Sequence, residues 1–110
     1  LNNNIIKKLK KHSKKEKYFF SIIKSNHRKF EEKRYWRGPV WINCNWIIYQ
    51  GLKNKDNRFA NQIKKKTIDL VKQKGFNEYF SCKTGKGFGA TNFSWTASLF
   101  LDLILENKYE

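Results

Sequence analysis

Residues 35–46 read Tyr35-Trp36-Arg37-Gly38-Pro39-Val40-Trp41-Ile42-Asn43-Cys44-Asn45-Trp46, and their reading decides the fold. Three of the four tryptophans and the only proline fall inside this stretch. A short bend, Arg37-Gly38-Pro39, separates two aromatic-rich pieces. Proline fixes its own φ and lacks an amide hydrogen, so it suits the first turn of a helix. From Val40 to Leu52 the chain is apolar almost all round, the pattern of a helix buried on most sides. The expectation is a loop carrying aromatic rings and one arginine, at the mouth of a buried helix from Val40 to about Gln50. Gly51 would then close it with a left-handed cap. Loops held by rigid elements are where binding sites are built.

Downstream, a polar linker (Lys53 to Asn57) offers Asp56 or Asn57 as N-cap. Residues 58–74 place Phe59, Ile63, Leu70 and Val71 on one helical stripe, with Lys64, Lys65, Lys66, Lys72 and Lys74 largely on the other faces. This is an outer, amphipathic helix closed by Gly75. Residues 75–92 hold four of the six glycines and read as loop, yet carry Phe76, Tyr79, Phe80 and Phe88. Lys83-Thr84-Gly85-Lys86-Gly87 lacks the spacing of a phosphate-binding loop and is rejected as one. A last helix, Ser94 to about Glu106, is apolar nearly all round, with Asp102 its one charge before the end. Trp46 and Trp95 are expected in the core. The order is buried, amphipathic, buried, so the fold class is all-α. Alternating inner and outer helices are what a two-layer toroid produces. Three such helices cannot close a ring, and apolar surface would stay exposed if the chain stood alone.

Upstream, lysines crowd residues 1–17, and Ile5, Ile6 and Leu9 form only a weak stripe, so a solvated helix or a mobile arm is expected. Tyr18 to Ile23 reads as an extended apolar strip on the core, and Ser25 to Arg34 as loop. His12 and His27 have no ligand partners at metal spacing and receive no role. The 110 residues make at most one domain, with a formal net charge of +15. Such a balance raises nucleic acid or an anionic membrane as partners. A lysine-rich compositional bias explains it more simply, because lysines far outnumber arginines. Cys44 reads as a small core residue, and two cysteines give no zinc spacing. No apolar run is long enough for a membrane span, and the opening residues show no signal-peptide pattern, which means little in a sequence that does not begin with methionine. Because the first residue is Leu1, a piece of a longer polypeptide is expected.

The two informative stretches together resemble the C-terminal part of glycoside hydrolase family 63. The matching residues are Tyr35-Trp36-Arg37-Gly38-Pro39-Val40-Trp41-Ile42-Asn43, then Gly75-Phe76-Asn77-Glu78-Tyr79-Phe80, Thr84-Gly85 and Phe93-Ser94-Trp95-Thr96-Ala97. The likeness covers about residues 26 to 105. It implies the C-terminal portion of an (α/α)6 toroid, incomplete in this chain. Residues 1–34 would be a basic arm and loop leading into the domain, and 35–110 its C-terminal helices.

The resemblance further implies an inverting exo-glycosidase, such as an α-glucosidase, with no cofactor. Two carboxylates work on opposite sides of the sugar, one as acid and one activating water. Glu78 corresponds to the general base. Set among Phe76, Tyr79 and Phe80, a carboxylate would be partly stripped of water, which favours that task. Tyr35, Trp36 and Trp41 correspond to the sugar platform, and Arg37 could reach hydroxyls or a carboxylate with its planar fork. The general acid is an aspartate that the family carries far upstream; Asp56, Asp69 and Asp102 do not match it. Expected partners are a carbohydrate substrate and the upstream remainder of the catalytic domain. Without that remainder the chain would be inactive. The alternatives are a small basic nucleic-acid-binding protein and an inactive remnant.

Overall fold

A computed structural model describes residues 2–106. The outermost ends of the expected arm and domain, residue 1 and residues 107–110, lie outside the described residues. Four helices and one small hairpin follow in order: α1 (Asn3–Ser13), α2 (Ile42–Leu52), α3 (Asn57–Lys74), β1 (Tyr79–Phe80), β2 (Gly87–Phe88) and α4 (Ser94–Leu105). Asn2 caps α1, its side chain accepting from the Ile5 amide at 3.0 Å. Ile6 is buried and Leu9 packs beside it against Phe19, Phe20 and Phe59. The N-terminal lysines therefore ride on a docked helix. The strip that follows lies on the core as expected, with Phe19 and Phe20 buried.

Asn45, a polar interruption in an apolar helix, is fully buried. Its amide oxygen accepts from the Phe20 amide at 2.6 Å, while its nitrogen donates to Phe19 O and to Thr67 Oγ1. One side chain thus joins the strip to α2 and α3, and satisfies backbone groups that the core would otherwise leave unpaired.

Two boundaries of the first apolar helix differ from expectation. Pro39 and Val40 are not its first turn. Val40 is extended and exchanges both backbone hydrogen bonds with Phe80, at 2.7 and 2.9 Å, and also bridges Ser21. Its amide and carbonyl are taken up by a long-range pairing, so the helix starts at Ile42 with Trp41 at the cap. At the other end Gly51 is helical rather than a cap. The helix continues through Leu52, which is completely buried, and finishes at Lys53 in ordinary right-handed geometry.

α3 matches its stripe: Phe59, Ala60, Ile63, Thr67, Leu70 and Val71 are buried, with Asp56 as N-cap accepting from Phe59 N at 3.1 Å. Lys64 departs from the expected outer face. It is buried, with Nζ 3.7 Å from a Glu106 carboxylate oxygen and over the Tyr49 ring. Its aliphatic stem packs while its charge finds a partner at the end of α4.

Residues 75–92, read as loop, contain the hairpin β1–β2, with Tyr79 opposite Phe88 and Phe80 opposite Gly87. α2 packs on both α3 and α4. The outer sides of α2 and α4 face water: Ile47 is 60% exposed and Leu101 53%. Trp95, expected in the core, is about half exposed on the same helix as Leu101, whereas Trp46 packs partly against the core.

Candidate active site

The site grows from the pairing of Val40 with Phe80. Both are completely buried, and their ladder fixes the loop before Val40 against the strand after Glu78. Gly38 lets that loop close. The Glu31 amide donates to Arg37 O at 3.0 Å, and a Cβ added at Gly38 would fall 2.1 Å from Glu31 O. Trp41 then pins the turn, its indole nitrogen donating to Tyr35 O at 2.8 Å.

The rings assemble around Trp41. Trp36 stacks on one face at 4.2 Å and Tyr79 lies stacked at 5.0 Å. Tyr35 meets Trp36, Trp41 and Tyr79 edge-on, with interplanar angles of 86°, 79° and 81°. Such offset and edge-to-face contacts are the favoured arrangements of aromatic quadrupoles. Trp41 is buried, so within this chain it supports Trp36 from behind and presents no open face. Trp36 and Tyr35 are the exposed members, at 48% and 43%.

Glu78 stands beside this cluster. The Tyr35 hydroxyl donates to Glu78 Oε2 at 2.9 Å, and the Ala90 amide donates to Oε1 at 3.0 Å. The Glu78 amide in turn donates to Ala90 O at 2.9 Å. Gly89 has φ +73°, and a Cβ there would lie 2.6 Å from Glu78 Oε1. Only glycine leaves room for the carboxylate in that pose. The hydrogen bond to Glu78 raises the Tyr35 phenol above its ordinary value. The carboxylate is thus oriented by one donor on each oxygen, with lone pairs left for a water or a hydroxyl.

Arg37 is directed elsewhere: its guanidinium is 3.6 Å from Glu31, which Arg34 also holds at 3.0 Å. The structure therefore brings together Tyr35, Trp36, Trp41 and Glu78, and places Arg37 in an ion pair within the preceding loop.

A second constellation received no role from the sequence. Glu16, buried, accepts from His12 Nε2 at 2.9 Å, from Ser21 Oγ at 2.5 Å, and from the amides of Ser21 and Ser25. Burial pushes this carboxyl up, but the bonds from His12 and Ser21 outweigh it and hold it at about 2. Serine, histidine and glutamate in contact suggest a nucleophile, yet Ser21 and Glu16 both meet the same ring nitrogen. A catalytic triad needs them on opposite nitrogens, so the cluster is a tether between α1 and the strip. Its one sequence signal is that Glu16 is the only carboxylate before residue 31.

An open groove of about 880 Å³ lies elsewhere, lined by Tyr49, Lys53, Asn61, Lys64 and Asp69 among others. Size does not make it the site, because its charges satisfy one another: Lys53 pairs with Glu106 and Lys65 with Asp69. Among the described residues no group of three or more His, Cys, Asp or Glu is placed to hold a metal. No described helix is long and apolar enough to cross a membrane.

The chain is similar in sequence and fold to known proteins. A family model for the mannosylglycerate hydrolase MGH1-like glycoside hydrolase domain matches residues 2–96. A mannosylglycerate hydrolase of Rubrobacter radiotolerans is 44% identical over 80 residues, covering 70% of this chain and 18% of its own length. The solved structure of a GH63 mannosylglycerate hydrolase from Thermus thermophilus with Tris superposes with a TM-score of 0.84 at 35% identity, over 88% of this chain and 24% of that one. The same enzyme with Tris and D-glycerate gives a TM-score of 0.82 at 34% identity, over 88% of this chain and 24% of that one. The chain spans about a fifth of the length of the curated relatives it matches.

Proposed function

The chain belongs to the mannosylglycerate hydrolase MGH1-like glycoside hydrolase family, and from that premise we propose that it carries the base-bearing part of an inverting exo-glycosidase. Its helices correspond to a C-terminal portion of an (α/α)6 toroid, left incomplete here. Glu78 is the general base. It takes a proton from a water that attacks the anomeric carbon on the face opposite the leaving group. An inverting pair needs its two carboxyls about 6.5–9.5 Å apart to admit that water. Tyr35 and Trp36 offer aromatic surface to the sugar's C–H face, with Trp41 and Tyr79 as their backing.

The observation that carries the reading is the hydrogen bond from Tyr35 to Glu78, two residues 43 positions apart. It brings the proposed base to the edge of the proposed platform. The acid is not in this chain. Asp56 caps α3 and pairs with Lys10 at 2.5 Å, Asp69 pairs with Lys65, and Asp102 accepts from the Trp46 indole at 2.7 Å. Each is occupied on another element. The isolated chain therefore does not hydrolyse glycosides. The remaining helices of the toroid supply the acid and cover the exposed side of α2 and α4. The substrate is a small glycoside with an acidic aglycone such as glycerate, the ligand named in the solved relative.

A chimaera tests this. The matching quarter of the Thermus thermophilus enzyme is replaced by this chain, and hydrolysis of mannosylglycerate is measured. Turnover should be restored, and Glu78→Gln should lower kcat by about 10²- to 10⁴-fold while leaving sugar binding in place. Undiminished turnover by the Gln variant would remove Glu78 from the role.

A further inference from the structure

A uniform bias toward lysine would raise the charge everywhere, and this chain's charge is not uniform. Residues 1–30 hold ten lysines and arginines and a single carboxylate, Glu16; the remaining 80 residues hold 14 and eight. Glu16 is buried and committed to His12, Ser21 and Ser25. The outer surface of this segment thus has no negative side chain of its own.

The lysines are also held in place. α1 is capped by Asn2 and seated through Ile6 and Leu9 on the Phe59 cluster. Lys7, Lys8, Lys11, Lys14 and Lys15 are exposed. Among the described residues the ion pairs of this segment are Lys10 with Asp56 and His12 with Glu16. From α3, Lys66 reaches the same edge, donating to Lys17 O at 3.0 Å.

The geometry points to α1 and the turn after it, flanked by Lys66, as a docking surface for duplex nucleic acid through its phosphates. Lysine suits that contact, being a compact point charge for phosphate without the fork that reads bases. A membrane is the poorer fit. An interfacial helix must sink an apolar face among the headgroups; Ile6 and Leu9 of α1 are turned onto the core, which leaves only Ile5 exposed. Single strands fit less well too, since stacking needs exposed rings and α1 contains no Phe, Tyr or Trp. Binding should be sequence-independent and driven by counterion release. With about five phosphates neutralised, raising salt from about 50 to 200 mM weakens affinity ~500-fold.

The test is fluorescence anisotropy of a short mixed-sequence DNA duplex titrated with the full chain across that salt range. Replacing Lys7, Lys11 and Lys15 by Gln should flatten the log–log salt slope by about 3. The same number of changes at Lys72, Lys74 and Lys86 should leave it nearly intact. Circular dichroism checks that both triples keep their helices. Absence of binding at the lowest salt, or equal losses from both triples, overturns the proposal. So does preference for phosphatidylserine vesicles over the duplex.

Discussion

Around Glu78 the carboxylate oxygens, the indole nitrogen of Trp41 and the Val40 and Phe80 backbones all find partners inside this chain. Across α2 and α4, Ile47, Leu101 and Leu105 face water. The first region is assembled by local turns and one long-range ladder, so this chain alone can hold it in shape. The second is a helical layer, and a layer becomes a core only when another layer covers it. The site's geometry and the fold's completeness are therefore separable. Substitutions at the two places should behave in opposite ways.

The largest expected effect is at Leu101. In the isolated chain Leu101→Glu replaces one exposed side chain by another, and stability should move by less than about 0.5 kcal/mol. In the chimaera the same carboxylate would be buried without a partner, which costs several kcal/mol. Assembly and turnover should then be lost. Gel filtration and activity of both proteins check this. A similar tolerance in the two contexts would break the contrast, showing that this face stays open in the larger protein.

Gly89→Ala should strike the other region. Positive φ and the 2.6 Å approach to Glu78 Oε1 act together, and the substitution should destabilise the chain by about 3 kcal/mol in urea unfolding. Here the isolated chain and the chimaera should suffer alike, because the strain is local to both.

Next comes pH. The Glu16 carboxyl lies at about 2 in the folded chain, against an ordinary value of 4.5. A depressed carboxyl contributes stability that is complete above the unfolded value and is lost as pH falls through the folded one. Unfolding free energy should therefore decline between pH 4.5 and about 2. Glu16→Gln should cost about 2 kcal/mol at neutral pH and flatten that decline. A Gln variant with an unchanged acid limb would show that other carboxylates govern it.

Which parts were legible in the sequence follows from the range of the interactions involved. The stripe of α3, its Asp56 cap and the bounds of α4 depend on neighbours three or four residues apart, and pattern shows them. The hairpin did not show, because two-residue strands have no period to detect. Val40's extended geometry and Gly51's place inside α2 are set by Phe80 and by the burial of Leu52, both tertiary effects. Lys64 was hidden because its partner, Glu106, is 42 positions away. The pairing of Tyr35 with Glu78 lies equally far apart, and only the family resemblance brought the two together beforehand. Arg37 shows the converse limit. Its residue type suits a ligand contact, and nothing in the sequence signalled that its guanidinium would also lie 3.6 Å from Glu31 in the same loop.

The smallest effect is the most specific probe of the site. Tyr35 donates to a carboxylate whose charge holds the phenol in its protonated form. It should titrate above an ordinary tyrosine, and the difference between the phenolate absorbance curves of wild type and Tyr35→Phe isolates it from the other four. Glu78→Gln removes the negative charge and should bring the phenol back toward its ordinary value, with little change in stability because the pair is open to solvent. A Tyr35 curve indifferent to residue 78 would mean that the two groups do not meet in solution. The contact that joins the aromatic cluster to the proposed base would then be lost, even with the rest of the fold intact.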